Sequence, residues 1–259
     1  SQTMENDPEK AIIELQELRP SLNSKSKKAE YSLLMARAMD RSGIDYTSDS
    51  LTSLALAYYL RHGSADEKLK AYYFHAQVFY NNGEYNAAME YLVKAEHLAA
   101  EVKDHITLGK VYAECSNIYY TMIDTLKSLD YAKKSLEQYL LAHDETRAIN
   151  AELRLINCYL RANNPHNAET YLNKIGNNLD DLDKGTKISY YENRLIYDRY
   201  YCKDSIYSDM NKYYNVCPKQ NLEWKLLANC YIATGQARNA VNALDNYANI
   251  TPSYKDNAS

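Results

Sequence analysis

The 259-residue chain is 46% hydrophobic and 25% charged, with 7 Gly and 5 Pro, the composition of a folded and mostly helical protein with few helix breakers. A net charge of −4 and a pI of about 5.9 argue against nucleic acid or anionic lipid as partner, since neither finds a global basic field here. No stretch approaches the ~20 apolar residues of a membrane span, and no signal-peptide pattern begins the chain.

In chain order, Asp7-Pro8-Glu9 reads as an N-cap with Pro at the first helical position, and Ala11, Leu15 and Leu18 follow at helical spacing. They predict the second helix of a helical pair whose first helix is reduced to Met4-Glu5-Asn6 or missing. Pro20 to Lys28 reads as a polar connection, and its basic run, like Lys133-Lys134, as a solvated helix end or face. From there a pattern recurs every 40 residues: Ser32, Tyr72, Tyr112, Glu152 and Glu192; Met35, His75, Cys115, Leu155 and Leu195; Ala36, Ala76, Ser116, Ile156 and Ile196; Met39, Phe79, Tyr119 and Tyr159. Second helices are marked by Ala88, Leu92 and Ala95, by Ser128, Ala132 and Ser135, and by Ala168 and Leu172. In the first unit the extra length falls in the turn, Ile44 to Ser50, where Thr47, Ser48, Asp49 and Ser50 offer N-caps for a helix through Ala55, Tyr58 and Tyr59. In the next two the turn is of normal length and the helices are longer. The pattern weakens between Asn177 and Cys217, where a short second helix, about Ser205 to Tyr214, has no small residue at the alanine position.

Trp224 to Pro252 restores it in full: Trp224, Leu227, Ala228 and Tyr231, a turn at Gly235, Ala240 and Leu244 four apart, and Pro252 at the close. These are the spacings of a tetratricopeptide repeat. The chain is therefore expected to be all-α, a right-handed superhelix of antiparallel helix pairs forming one repeat domain over 1–259. Its units fall near 1–20, 29–63, 69–102, 105–143, 146–178, 186–217 and 221–252. The 27 Tyr against 2 Phe suit a thin two-layer stack, in which a buried ring still needs a partner for its hydroxyl. Cys115, Cys158 and Cys230 fall on inward positions, while Cys202 and Cys217 flank one hairpin and are candidates to pair.

First helices line the concave side of such a superhelix. The candidate protein- or peptide-binding residues there are Tyr73, Gln77 and Tyr80; Lys110, Asn117 and Tyr120; Leu153, Asn157 and Arg161; and Tyr197 and Tyr201. Gln77, Asn117, Asn157 and Tyr197 are again 40 apart, and an amide carries both donors and an acceptor, so a row of them suits the backbone of an extended peptide. The alternative is that the amides satisfy neighbouring helix groups. Chemistry finds little support: His62, His75, His97, His105, His143 and His166 are scattered, no two Gly form a phosphate loop, and no nucleophile elbow is present. No enzyme activity, no metal and no cofactor are expected.

The run Ser48 to Ala99, SDSLTSLALAYYLRHGSADEKLKAYYFHAQVFYNNGEYNAAMEYLVKAEHLA, with the earlier NDPEKAIIELQEL and RSGIDYTSDSL, resembles large repeat-containing envelope lipoproteins of Gram-negative gut anaerobes. The resemblance implies a lipid anchor before this segment, a periplasmic repeat domain and a membrane helix with a regulatory region after it; without it, a cytoplasmic location stays open. Two functions remain in play. One is a binding scaffold for a protein or peptide; the other is a sensor that takes up an oligopeptide or small ligand and signals to a downstream region.

Overall fold

The computed structural model describes residues 7–19 and 22–250, of which the side chain of Ile250 is left undescribed. Among them the helices are α1 (Pro8–Leu18), α2 (Lys25–Arg41), α3 (Ser50–His62), α4 (Ala65–Asn81), α5 (Tyr85–Glu96), α6 (His105–Thr121) and α7 (Thr125–Leu141). They continue as α8 (Glu145–Arg161), α9 (Pro165–Gly176), α10 (Lys184–Tyr201), α11 (Ile206–Val216), α12 (Trp224–Ala233) and α13 (Ala237–Ile250). No described helix is long and apolar enough to cross a membrane. The helix expected at Met4-Glu5-Asn6 and the closing Pro252 lie outside the described residues.

The helix starts obey local chemistry. Asp7 accepts a hydrogen bond from the Lys10 amide at 3.0 Å with Pro8 in the first turn, and Ser64 and Glu67 close a reciprocal capping box. Asp104, Asp124, Asp144 and Asn164, 20 residues apart, each accept from the amide three residues on, at 3.0 to 3.2 Å. This spacing explains the period. Each of α6, α7 and α8 has 17 residues, and a link of three completes 20, so two helices make 40.

Helix ends are equally regular. Gly43, Gly83, Ile123 and Asn163, 40 apart, all have left-handed φ between 52° and 74°. After each, the next amide reaches back to the sixth carbonyl, as in Glu84 to Phe79 at 2.8 Å and Asp124 to Tyr119 at 2.9 Å, the Schellman closure.

Contacts group the chain into two compact units, Ser1–Ala148 and Ile149–Ser259. In the first, consecutive helices pack as neighbours, and α2, α4 and α6 also pack in series, each first helix on the next. The predicted small positions are buried: Ala36, Ala76, Ala88, Ala95 and Ala132 are at most 1% exposed. At Ser116 and Ser128 the alanine is replaced by serine, and the two hydroxyls donate to each other's backbone carbonyl at 2.9 and 3.0 Å. Gly109 admits an even closer approach: a Cβ there would lie 2.5 Å from the Tyr139 ring. His75 sits at its packing position, with Nδ1 3.0 Å from the Thr52 hydroxyl and the Tyr91 ring edge-on; burial lowers its pKa, so it packs as a neutral ring.

In the second unit, α10 packs on α11 and on α12, around Leu195, Ile206, Met210, Tyr213, Leu227 and Cys230. Ile206 and Met210, large where small residues would be expected on a second helix, are buried in this core. Tyr213 is fully buried, yet its hydroxyl donates to Glu192 at 3.0 Å and accepts from the Glu223 amide at 3.1 Å, as a core tyrosine must. One open possibility and one packing marker turn out otherwise. Cys202 and Cys217 are free thiols, with the Cys217 sulfur 3.7 Å from the Pro218 carbonyl, and Leu244 is 44% exposed although its companion Ala240 is buried.

Candidate binding surface on the first helices

Within the first unit, α2, α4 and α6 bring several candidate side chains into one connected network. The Lys110 ammonium, on α6, lies 2.6 Å from the Asp40 carboxylate on α2, and 5.4 Å from the centre of the Tyr73 ring on α4. Tyr73 is only 2% exposed, and its hydroxyl accepts a hydrogen bond of 2.7 Å from the Gln77 amide nitrogen. That nitrogen also lies 3.5 Å from Glu114, whose other oxygen accepts from Asn117 at 3.1 Å. Burial, and then the negative charges of Asp40 and Glu114, hold the Tyr73 phenol well above its ordinary pKa, so it stays neutral. The amide orientation of Gln77 follows: its nitrogen faces two acceptors, and its oxygen is left buried without a hydrogen-bond partner. Such an orphan costs about 1–3 kcal/mol. Tyr80 and Tyr120 flank the network half-buried at the ends of their helices.

The expected exposure of this face is therefore corrected in part. Tyr73 and Gln77 are buried, and Lys110 is held by its ion pair, because packing the first helices in series brings Asp40 within reach of Lys110. Asn117, Tyr80 and Tyr120 keep part of their surface in solvent. Asp40 and Glu114 were missed, although a signal existed. Asp40 stands 40 residues before Tyr80, and Glu114 stands one helical turn before Asn117.

In the second unit Leu153 is buried, and Asn157 is half-buried with its amide 3.4 Å from the Leu153 carbonyl. Arg161 is exposed at the end of α8. Tyr197 is 6% exposed, stacked obliquely on Tyr201 with centroids 5.2 Å apart, and the Tyr201 hydroxyl donates to Asn163 at 3.2 Å. Beneath Tyr197 lies a group that spacing did not reveal. The Arg194 guanidinium lies 3.0 Å from Asp198 and 3.4 Å from Asp209, and Lys212 pairs with Asp209 at 2.8 Å. Asp198 is fully buried, and neither of its oxygens receives a well-directed hydrogen bond. Burial, and then the neighbouring Asp209 carboxylate, push its pKa up to about 7, while Lys212 and Arg194 hold Asp209 below its usual range.

Among the described residues, no group of three His, Cys, Asp or Glu is placed to hold a metal ion. The arrangement offers amides, phenols and paired charges for recognition.

No family model matches the chain. Over 76 residues it is 34% identical to response regulator aspartate phosphatase E of Bacillus subtilis (strain 168), a match covering 28% of this chain and 20% of that protein. The matched region thus spans about a fifth of the relative's length. Among solved structures, the apo form of RapI superimposes with a TM-score of 0.71 at 16% identity, over 96% of this chain and 72% of that one. BtubC (BKLC) from P. vanneervenii aligns with a TM-score of 0.45 at 16% identity, over 97% and 94% of the two chains. The RapI likeness, together with the helical pairs and their period, defines an all-α helical-repeat protein of the tetratricopeptide-like class.

Proposed function

We propose that the chain is a non-catalytic scaffold that binds a protein or an extended peptide on the faces of its first helices. The observation that carries this is the network joining Lys110, Tyr73, Gln77, Glu114 and Asn117, which holds recognition groups rigid from below while Asn117 and Tyr120 still meet solvent. Side chains locked by such support lose little entropy on binding. A displayed library of random peptides, selected on the protein, tests it. Selected peptides are expected to lose at least tenfold in affinity for an Asn117→Ala, Tyr120→Ala double variant of unchanged helicity, about 1.4 kcal/mol. Equal affinity for both forms would reject the surface.

A second reading, a sensor that binds an oligopeptide or small ligand and signals to an attached region, is favoured by the partial identity to a protein named as a response regulator phosphatase. It calls for a small ligand that raises the melting temperature in the absence of any macromolecule. Placement in the cell envelope through a lipid anchor rests on the lipoprotein resemblance alone. Incorporation of labelled palmitate into the full-length protein in its source cell checks it.

A further inference from the structure

Also in the first unit, α1, α2 and α3 line an open groove of 790 Å³ that shares no residue with the network above. Its floor is a stripe along α2, from Lys28 through Tyr31, Ser32 and Met35 to Met39. Twelve residues of helix, eleven steps apart from first to last, make it about 16 Å long. Ile12 from α1, Ile44, and Leu51 and Leu54 from α3 form apolar walls, with Gln16 and Ser50 beside them. Met35 and Met39 are flexible and polarisable enough to adapt to a chain.

Charge is distributed unevenly along this groove. Among the described residues that line it the charged ones are Arg19 and Lys28, both cationic, in a chain whose net charge is −4. Arg19 caps the end of α1 and Lys28 lies in the first turns of α2, so both belong to the end where α1 runs into α2. The α2 N-terminus at that end adds its own partial positive charge. The opposite end, toward Met39, Ile44, Leu51 and Leu54, carries no charge and is apolar apart from Ser50. The ligand complementary to this surface has a hydrocarbon body and one anionic end.

We propose that this groove binds an aliphatic carboxylate, with its chain along Met35, Met39 and Leu54 and its carboxylate against Arg19 and Lys28. The test is calorimetric titration of the protein with dodecanoate below its micelle concentration, beside dodecanol and dodecyltrimethylammonium. Dodecanoate is expected to saturate at one per chain and to bind at least tenfold more tightly than the other two. An Arg19→Gln, Lys28→Gln double variant, both sites being exposed, is expected to keep its helicity and lose that preference. Leu54→Trp, which fills the apolar end, is expected to abolish binding. Equal binding of dodecyltrimethylammonium, no loss in the double variant, or binding of acetylated trileucine but not of dodecanoate would each overturn the proposal.

Discussion

Asp198 is the residue at which the physical chemistry of this chain is most exposed to test. An ionised carboxylate at 0% exposure, with no well-directed donor, carries a large desolvation cost, so the fold keeps it protonated beside the charged Asp209. The unfolded chain releases that proton near pH 3.8, whereas the folded chain holds it to about pH 7. Stability from this group is thus full below about pH 4 and declines as the pH rises to 7. Asp209, whose folded pKa is depressed, acts in the opposite sense and only below about pH 4. Hydrogen-exchange protection of α10 and α11 is therefore expected to fall between pH 4 and 7, by up to about 1.4 kcal/mol per pH unit. Asp198→Asn is expected to flatten that slope, and an unchanged slope would assign the proton elsewhere. Ile123 is the second such residue. A β-branched side chain at φ 64° is strained by about 1–2 kcal/mol, and here it is also 74% exposed, so little packing repays it. Ile123→Gly is expected to raise stability in urea by about 0.5–1 kcal/mol after the entropy of the added glycine is counted.

At the scale of the helix pair, α6 and α7 approach closely at Gly109. Tyr139 lies over the missing side chain of Gly109, and the Ser135 hydroxyl donates to the Gly109 carbonyl at 2.9 Å. Gly109→Ala places a methyl group against a buried ring and is expected to destabilise the first unit by about 1–3 kcal/mol, read as a lower urea midpoint at unchanged m-value. Gly83→Ala is the control, since nothing lies within 4 Å of its Cβ and only the left-handed φ resists the change. Most of this level was legible in the sequence. The markers at 36, 76, 116 and 156 and at 88, 92 and 95 are buried as their spacing requires, because a helix face is fixed once its period is known. Solvent exposure was less legible. Tyr73 and Gln77 occupy the expected face, but whether that face is open depends on the distance between successive first helices, and on the reach of Lys110 to a residue 70 positions earlier. The Asp198, Asp209 and Arg194 group was invisible for the same reason: α10 and α11 join residues that share no period.

For the molecule as a whole, charge and composition set expectations that single contacts do not. Lys110 is neutralised by Asp40, Lys212 by Asp209 and Lys134 by Glu96, and with a net charge of −4 the chain offers no global positive field to a phosphate backbone. Single-stranded RNA is expected to migrate unretarded with the protein in a gel-shift assay at physiological salt; salt-dependent retardation would contradict this. Each helix pair depends chiefly on its neighbours, so a lesion such as Gly109→Ala is expected to act most strongly within its own unit.

The left-handed turn shared by positions 43, 83, 123 and 163 also bears on how such a gene can change. Cutting and rejoining the coding sequence between any two of these turns splices one Schellman closure onto another of the same backbone shape. Adding or losing 40 residues keeps each later helix in its register, whereas a single residue inserted inside a helix turns the remaining side chains of that helix by about 100°. A whole block of 40 is thus the change of length that this geometry accommodates, and the turns are where two such blocks can be joined.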